Sequence, residues 1–273
     1  MKNKFMFTFL TAAMTLAPMA MAQTGDEQVV DLCQVQGRNL ADPGPDRYIN
    51  ELSIVGKGAG ENLPATYEPT DLVSLPLEQM SPAVRDDLIE NKRTERVRQY
   101  TAIALQKMLM DAAKDNVELV VHSGYRSYKF QCHVFSTKLK NELATTPLTF
   151  EQAIASVNTR SAFPGQSEHQ MGTVADITTN IPLFGYQLIY QMMDTPAYKW
   201  LQDNAYKYGF VMSYPYNPAV AMDQPNPRTG YVFEPWHWRY IHPYYSTKFR
   251  DCGDMTLREF LYKLSRNPKF TCK

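Results

Sequence analysis

Two periods of hydrophobic residues run along the chain and predict a mixture of helices and strands. Apolar residues recur at helical spacing over residues 82–109, after Ser81 as a helix cap. A second helix is expected over residues 127–143, and a third begins at Thr149, where Gln152 follows at the spacing of a capping box. Further helices are expected from Thr195 to a stop at Gly209 and over residues 254–266.

Short runs of β-branched and aromatic residues predict the strands. These runs cover residues 117–121, 173–177, 210–214 and 231–241. Prolines and a glycine in residues 215–230 predict a hairpin loop between the last two. Because helices and strands mix without a regular βαβ alternation, the predicted class is α+β: a single domain with a small, mainly antiparallel sheet flanked by helices.

The N-terminus has the layout of a secretory signal peptide. Lys2 and Lys4 precede an apolar run that closes with the small-x-small sequence of residues 20–22. We therefore expect residues 1–22 to be a signal peptide of a periplasmic or extracellular protein; the alternative is a retained anchor. No other apolar stretch reaches membrane-spanning length. Residues 23–60 are interpreted as an irregular extension, 61–242 as the main domain and 243–273 as a C-terminal extension with cysteines.

Charge balance excludes one class of partner. The 28 basic residues equal the 28 acidic ones, so the formal net charge is zero. A protein that binds nucleic acid usually carries a basic excess or a basic stripe, and neither is visible here. We expect no nucleic-acid partner.

Cysteine usage fits an exported protein. The four cysteines contain no C-x-x-C pair, and an even count in an oxidising compartment predicts disulfides. Four cysteines allow three pairings. Cys252–Cys272 closes the shortest loop and is preferred, which leaves Cys33 with Cys132.

The segment of residues 167–176 offers the first candidate chemistry. Gly172 permits a tight turn between His169 and Asp176, and Asp176 lies among small and apolar neighbours. A carboxylate there is costly to bury unless it is paired or binds a metal. An imidazole with a carboxylate is a partial ligand set for zinc. The alternative is that Asp176 pairs locally and His169 is a surface turn residue.

The segment of residues 234–240 adds a second histidine. Alternation along a strand would place Glu234 and His237 on opposite faces, but a bulge at Pro235 could bring them together. A zinc hydrolase needs three protein ligands and a carboxylate near the attacking water. His169, Asp176 and His237 are the candidate ligands, with Glu234 as general base. The alternative is an aromatic core strand with a structural histidine.

A third segment, residues 123–131, lies where a predicted strand meets a helix. Arg126 presents a planar fork that suits a carboxylate, so an arginine near a hydrolytic zinc indicates recognition of a free C-terminus. The alternative is a structural salt bridge.

Together these three segments resemble the VanY-type D-alanyl-D-alanine carboxypeptidases, a family that includes L,D-carboxypeptidases of the same fold. The segments read SGYRS with a glutamine four residues on, SEHQMGTVAD, and EPWHWRY. They occur in the family's order. The stretches 63–73 and 208–210 also look similar, so the resemblance covers about residues 60–242.

The resemblance implies a zinc peptidase that removes a terminal D-amino acid from peptidoglycan stem peptides, and D-alanine is the expected residue. Zn²⁺ is the implied cofactor and the stem peptide the implied partner. The implied roles are zinc ligation by His169, Asp176 and His237; catalysis by Glu234, Tyr214 and Arg239; and substrate binding by Arg126, Gln131, Ser167 and Tyr125.

Some features depart from the family pattern. Ser213 stands where members often carry a basic residue, and the loop of residues 215–230 is longer than the usual turn. Two alternatives therefore stay open: an endopeptidase of the same fold, and a non-catalytic zinc-bearing module that binds the cell wall. The remaining histidines, His122, His133 and His242, match no ligand position and are interpreted as structural or surface residues.

Overall fold

Helices and short strands alternate along residues 49–272, the part of the chain that the computed structural model describes. Its α-helices are α1 (Pro82–Glu90), α2 (Gln99–Lys114), α3 (Tyr128–Thr145), α4 (Phe150–Val157), α5 (Pro196–Asn204), α6 (Pro243–Arg250) and α7 (Leu257–Arg266). Its strands are β1 (Leu72–Ser74), β2 (Arg96–Arg98), β3 (Val120–Ser123), β4 (Val174–Thr178), β5 (Phe210–Met212) and β6 (His237–Tyr240). The predicted signal peptide lies outside the described residues. No helix within residues 49–272 is long and apolar enough to cross a membrane.

Four of the strands form one antiparallel sheet. Their order across the sheet is β3-β4-β6-β5, so the two central strands are β4 and β6. The register places Asp176 of β4 opposite His237 of β6. Strands β1 and β2 pair separately. The predicted α+β class with a small antiparallel sheet is confirmed.

The two faces of this sheet have different chemistry. Ala175 and Ile177 of β4, with Trp238 and Tyr240 of β6, belong to the main hydrophobic core, which also contains the buried side chains of α2. Because successive side chains of a strand point to opposite faces, the residues between them face the other way. That opposite face therefore receives Asp176, His237 and Arg239, all of which are buried.

The single long helix predicted over residues 82–109 is wrong. The structure divides this region into α1, β2 and α2, and β2 pairs with β1 in antiparallel register. Between α1 and β2 the chain is polar, and Lys92 adopts a positive φ of 50° that no helix accepts. Val97 of β2 is completely buried, so the apolar residue that fitted the helical period instead serves the core as a strand residue.

The long strand predicted over residues 231–241 is also shorter than expected. Only His237–Tyr240 pairs as a strand, because residues before it bond elsewhere. The amide of Val232 donates to Thr159 and the amide of Glu234 donates to Tyr214. A turn at Pro235 and Trp236 then leads into β6.

Capping residues define the helix ends much as the sequence predicts. The hydroxyl of Ser127 accepts from the amide of Phe130 at the start of α3. Thr149 and Gln152 form the predicted capping box of α4. After α5 a short 3-10 turn ends at Gly209, whose φ of 93° is left-handed. These termination signals are local, which is why the sequence alone locates them.

The C-terminal region packs against the same sheet. Helix α7 buries Leu257, Phe260, Leu261 and Leu264 in a cluster that includes Val211 of β5. The predicted disulfide Cys252–Cys272 is present, with a sequence separation of 20 residues. The predicted partner of Cys132, Cys33, lies outside the described residues.

Removal of this disulfide should destabilise the protein. We expect the double variant Cys252→Ser, Cys272→Ser to lose about 3 kcal/mol of unfolding free energy, because the crosslink limits the entropy of the unfolded chain. Urea unfolding followed by circular dichroism measures the change. The circular dichroism spectrum in buffer without denaturant serves as the control and should match that of the wild type. An unchanged urea midpoint would contradict the stabilising role.

Candidate metal centre and active site

A short turn delivers the first histidine to the polar face of the sheet. His169 lies in a 3-10 turn, Glu168–Met171, which ends at Gly172 with a φ of 70°. A side chain at Gly172 would also come within 2.9 Å of Leu72. The turn reverses the chain directly into β4, which brings Asp176 next to His169.

Three side chains converge on one point. The Nε2 atom of His169 lies 3.4 Å from Oδ2 of Asp176, and Nδ1 of His237 lies 3.4 Å from Oδ1 of the same carboxylate. One ligand atom from each residue lies within 4.8 Å of the others, and all three residues are buried. The predicted grouping of these residues is therefore present.

Hydrogen bonds behind the two rings fix which nitrogen faces this point. The Nδ1 atom of His169 lies 2.6 Å from the carbonyl oxygen of Gly124, to which it donates. The Nε2 atom of His237 lies 3.0 Å from a carboxylate oxygen of Glu168. Since each outer nitrogen is engaged, the inner nitrogens remain directed at Asp176, as in carboxylate–histidine–metal arrangements.

The donor set fits a divalent cation. Within the described residues Oδ1 of Asp176 has no hydrogen-bond partner, although it is buried. A guanidinium nitrogen of Arg126 lies 2.6 Å from Nε2 of His169 and 3.0 Å from Oδ2 of Asp176, so a positive group already contacts these atoms. Two imidazoles and a carboxylate form a normal three-ligand set for catalytic zinc, which keeps a further position open.

The pKa values of His169 and Asp176 are both lowered, but for different reasons. Burial lowers the pKa of His169 to about 4. Burial alone would raise the pKa of Asp176, but the close contacts of its carboxylate with His169 and His237 and the charge of Arg126 outweigh it and hold that pKa well below its usual range. The carboxylate of Asp176 is thus ionised at neutral pH.

Glu234 reaches the same point through a turn. The amide of His237 donates to the carbonyl of Glu234 at 3.2 Å, and the carboxylate lies 3.5 Å from Nδ1 of His237. Neither the bulge considered from the sequence nor a helix is needed, because this turn precedes the first strand residue. Burial raises the pKa of Glu234 to about 7, which suits a group that exchanges protons near neutral pH.

Arg126 and Gln131 form a polar pair beside the centre. The guanidinium donates to the side-chain oxygen of Gln131 at 3.1 Å, and the amide nitrogen of Gln131 donates to the carbonyl of Ala162 at 2.7 Å. The alternative of a structural salt bridge for Arg126 is partly realised, since it contacts Asp176 at 3.0 Å. The same guanidinium also lines an open cavity.

A cavity of about 190 Å³ opens onto these groups. Ser167 and Tyr214 line it together with Glu234 and Trp236. The hydroxyl of Ser167 makes no capping bond to the turn that follows it. Burial raises the pKa of Tyr214 well above its usual value, so its hydroxyl remains a hydrogen-bond donor.

Two predicted site residues lie away from the cavity. Tyr125 packs against Arg96, whose guanidinium carbon is 5.3 Å from the ring centre, and it does not line the cavity. Arg239 is fully buried behind the centre, where it donates to Glu168 at 2.6 Å. This position favours orientation of His237 through Glu168 over direct contact with a substrate.

Glu168 is the site residue that sequence reasoning missed. Its carboxylate connects His237 to Arg239, and it is buried. Burial would raise its pKa, but the charge of Arg239 and the hydrogen bond of His237 lower that pKa to about 2. An acidic residue directly before His169 was the available signal, although sequence spacing could not connect it to a histidine 69 residues away.

An antiparallel sheet and its adjoining turn, which together present two histidines and an aspartate to one point with a partly buried glutamate beside them, define a zinc hydrolase. The VanY family model, described as D-alanyl-D-alanine carboxypeptidase, matches residues 94–243. The chain is 35% identical over 219 residues to the putative carboxypeptidase YodJ of Bacillus subtilis, with 80% of this chain and 69% of the relative covered. It therefore belongs to the VanY family, and the predicted resemblance is confirmed.

Other relatives agree with this assignment. A D-alanyl-D-alanine carboxypeptidase of Enterococcus faecalis is 31% identical over 212 residues, with 77% of this chain and 66% of the relative covered. The chain thus spans about two thirds of the length of these curated relatives.

Solved structures support both the fold and the metal. The LdcB LD-carboxypeptidase superposes with a TM-score of 0.59 at 33% identity, with 78% of this chain and 86% of that chain covered. The D,D-pentapeptidase VanY from a VanB-type resistance cassette, in complex with Zn(II), has a TM-score of 0.58 at 28% identity, with coverage of 77% and 98%. The predictions of a zinc-dependent carboxypeptidase and of Zn²⁺ as its cofactor are confirmed.

Loss of the Glu168 carboxylate should weaken metal binding. We expect Glu168→Gln to reduce zinc affinity by roughly 10- to 100-fold, because the partner that orients His237 loses its charge. Competition with a chromophoric chelator measures the dissociation constant. The matched control is Glu61→Gln, which neutralises a buried carboxylate bonded to Arg258, away from the cavity. Equal zinc affinity in wild type and Glu168→Gln would refute this role.

Proposed function

We propose that this chain is an exported zinc carboxypeptidase that removes the terminal D-alanine from peptidoglycan stem peptides. The observation that carries the proposal is the convergence of His169, Asp176 and His237 with Glu234 at their open side. Related proteins add support, since VanYB has been solved in complex with D-alanine-D-alanine. Export rests on the signal-like residues 1–22, and the domain is taken as residues 61–242 with extensions on both sides.

In this proposal His169, Asp176 and His237 hold the zinc ion. Bound zinc supplies a Lewis acid and lowers the pKa of a water molecule toward neutrality. Glu234 accepts the proton of the attacking water and passes it to the leaving amine. Its raised pKa makes both transfers feasible at neutral pH. The protonated hydroxyl of Tyr214 donates toward the scissile carbonyl.

Arg126 is proposed to bind the terminal carboxylate of the substrate. A metal cation at the ligand atoms would repel its guanidinium, which leaves the planar fork available to an anion in the cavity. Gln131 and Ser167 are proposed to bind the peptide beside it. Arg239 is proposed as a positioning residue, because its contact with Glu168 connects it to His237. Tyr125 is proposed only as a support for the loop that carries Arg126.

Mass spectrometry of a digest tests the reaction. The purified protein with zinc should release a single D-alanine from a peptide that ends in D-alanyl-D-alanine. An endopeptidase would also cut a version of this peptide whose C-terminus is amidated. A non-catalytic cell-wall module would bind isolated sacculi and release nothing from either peptide.

Neutralising the proposed base should abolish turnover while zinc stays bound. We expect Glu234→Gln to lower kcat by about 10²- to 10⁴-fold, because proton transfer contributes that much to such reactions. Stopped assays with D-alanine detection measure the rate, and metal analysis measures the zinc content. Glu118→Gln provides a control, since that exposed carboxylate accepts a hydrogen bond from the hydroxyl of Tyr186 and does not line the cavity. Wild-type turnover in Glu234→Gln would rule out its assigned role.

Truncation of the proposed carboxylate anchor should affect binding more than chemistry. We expect Arg126→Met to raise KM for a free-acid peptide by at least about tenfold, because a charge-assisted bidentate contact is lost. The change in kcat should be smaller. Arg93→Met, which removes an exposed arginine paired with Asp87, is the control. If KM is the same in Arg126→Met and wild type, the terminal carboxylate binds elsewhere.

A further inference from the structure

The active-site cavity contains more cationic groups than the proposed reaction uses. Arg126, Lys138 and Arg160 all line it, as does Glu234. Only Arg126 has a role in binding the terminal carboxylate. The other two cations have no role in that reaction.

Arg160 already has an anionic partner. Its guanidinium forms an ion pair with Glu142, and it donates to the carbonyl and the hydroxyl of Ser156 at 3.1 Å. Its charge is thus compensated by α3 and α4 themselves. Arg160 is accordingly a structural residue of the cavity wall.

Lys138 is different, because no carboxylate of the described residues pairs with it. Its ammonium group makes one long contact, 3.4 Å to the carbonyl oxygen of Arg160. Burial lowers the pKa of Lys138, and the negative charge of Glu234 partly offsets this shift. An ammonium group that lines a cavity and has no carboxylate partner is stabilised when an anion enters that cavity.

The helix spacing fixes how far this cation lies from the first carboxylate site. Gln131, which contacts Arg126, and Lys138 are seven residues apart on α3. Seven residues make about two turns, so the two side chains lie on nearly the same face, about 10 Å apart along the axis. An extended peptide spans about 3.3–3.6 Å per residue, so this distance corresponds to about three residues.

We propose that Lys138 binds a second carboxylate of the substrate, on the third residue from the C-terminus of the peptide. This inference rests on the proposed function, because it takes the terminal carboxylate to be held by Arg126. The preferred substrate is then an acidic peptide with two carboxylates, one at its end and one on the residue before its last two. Lys138 acts as a specificity-determining residue and takes no part in bond cleavage.

Two synthetic peptides that differ in one group test the proposal. They are N-acetyl-Glu-D-Ala-D-Ala and N-acetyl-Gln-D-Ala-D-Ala, which have nearly the same shape. The wild-type holoenzyme should have a roughly five- to tenfold lower KM for the glutamate peptide, the effect expected of one additional charge contact. In Lys138→Met the two KM values should become equal, with kcat within about twofold of wild type. Lys138→Arg should keep the preference.

Lys129→Met is the matched control, since Lys129 is an exposed lysine on the same helix that does not line the cavity. It should retain the wild-type preference for the glutamate peptide. Cleavage of both peptides with equal KM by the wild type would overturn the inference and leave the proposed function intact. A preference that survives in Lys138→Met would overturn it as well.

A failure of the proposed function would look different, because neither peptide would then release D-alanine. Calorimetric binding to the Glu234→Gln variant decides the inference in that case. Glu234→Gln should bind the glutamate peptide roughly five- to tenfold more tightly than the glutamine peptide. This difference should disappear when Lys138→Met is added. Equal affinities for both peptides in Glu234→Gln would overturn it.

Discussion

The pairing of β4 with β6 is the constraint on which the site depends. Their register sets Asp176 directly opposite His237, and strand alternation directs both side chains to the face away from the hydrophobic core. A slip of one residue would exchange these side chains with Ala175 and Trp238 and would bury polar groups in the core. The packing of the core against α2 thus fixes the position of the ligands as well as the stability of the sheet.

The sheet positions the candidate ligands, and hydrogen bonds behind the two imidazole rings fix their orientation. The carbonyl of Gly124 orients His169, and Glu168 orients His237, so that both inner nitrogens face Asp176. Arg239 compensates the charge of Glu168 inside the protein. A buried carboxylate without such a partner would be protonated and would lose its ability to hold the ring. The position of the candidate metal ligands therefore depends on groups behind them, including the carbonyl of Gly124 and the buried side chain of Arg239.

Charged groups in the cavity have two proposed roles, proton transfer and recognition of the substrate. Burial raises the pKa of Glu234 to about 7, which prepares it to exchange protons. Arg126 and Lys138 also line the cavity, where a peptide is proposed to bind. Positive charges around a partly desolvated space favour an anionic ligand over a neutral one. In the proposed function, one cavity therefore contains both the base and the cations that select the substrate.

Local signals in the sequence determined the helix caps, the turn at Gly172 and the α+β class, because each depends on neighbouring residues. Motifs singled out His169, Asp176 and His237 as candidate ligands beside Glu234, and the structure brings these residues together. The family resemblance supplied their roles. Tertiary structure alone decided the break of the helix predicted over residues 82–109, because β2 pairs with β1, a strand that lies before that helix in the chain. It also decided the link from Glu168 to His237, because contacts between residues 69 positions apart depend on how the sheet closes.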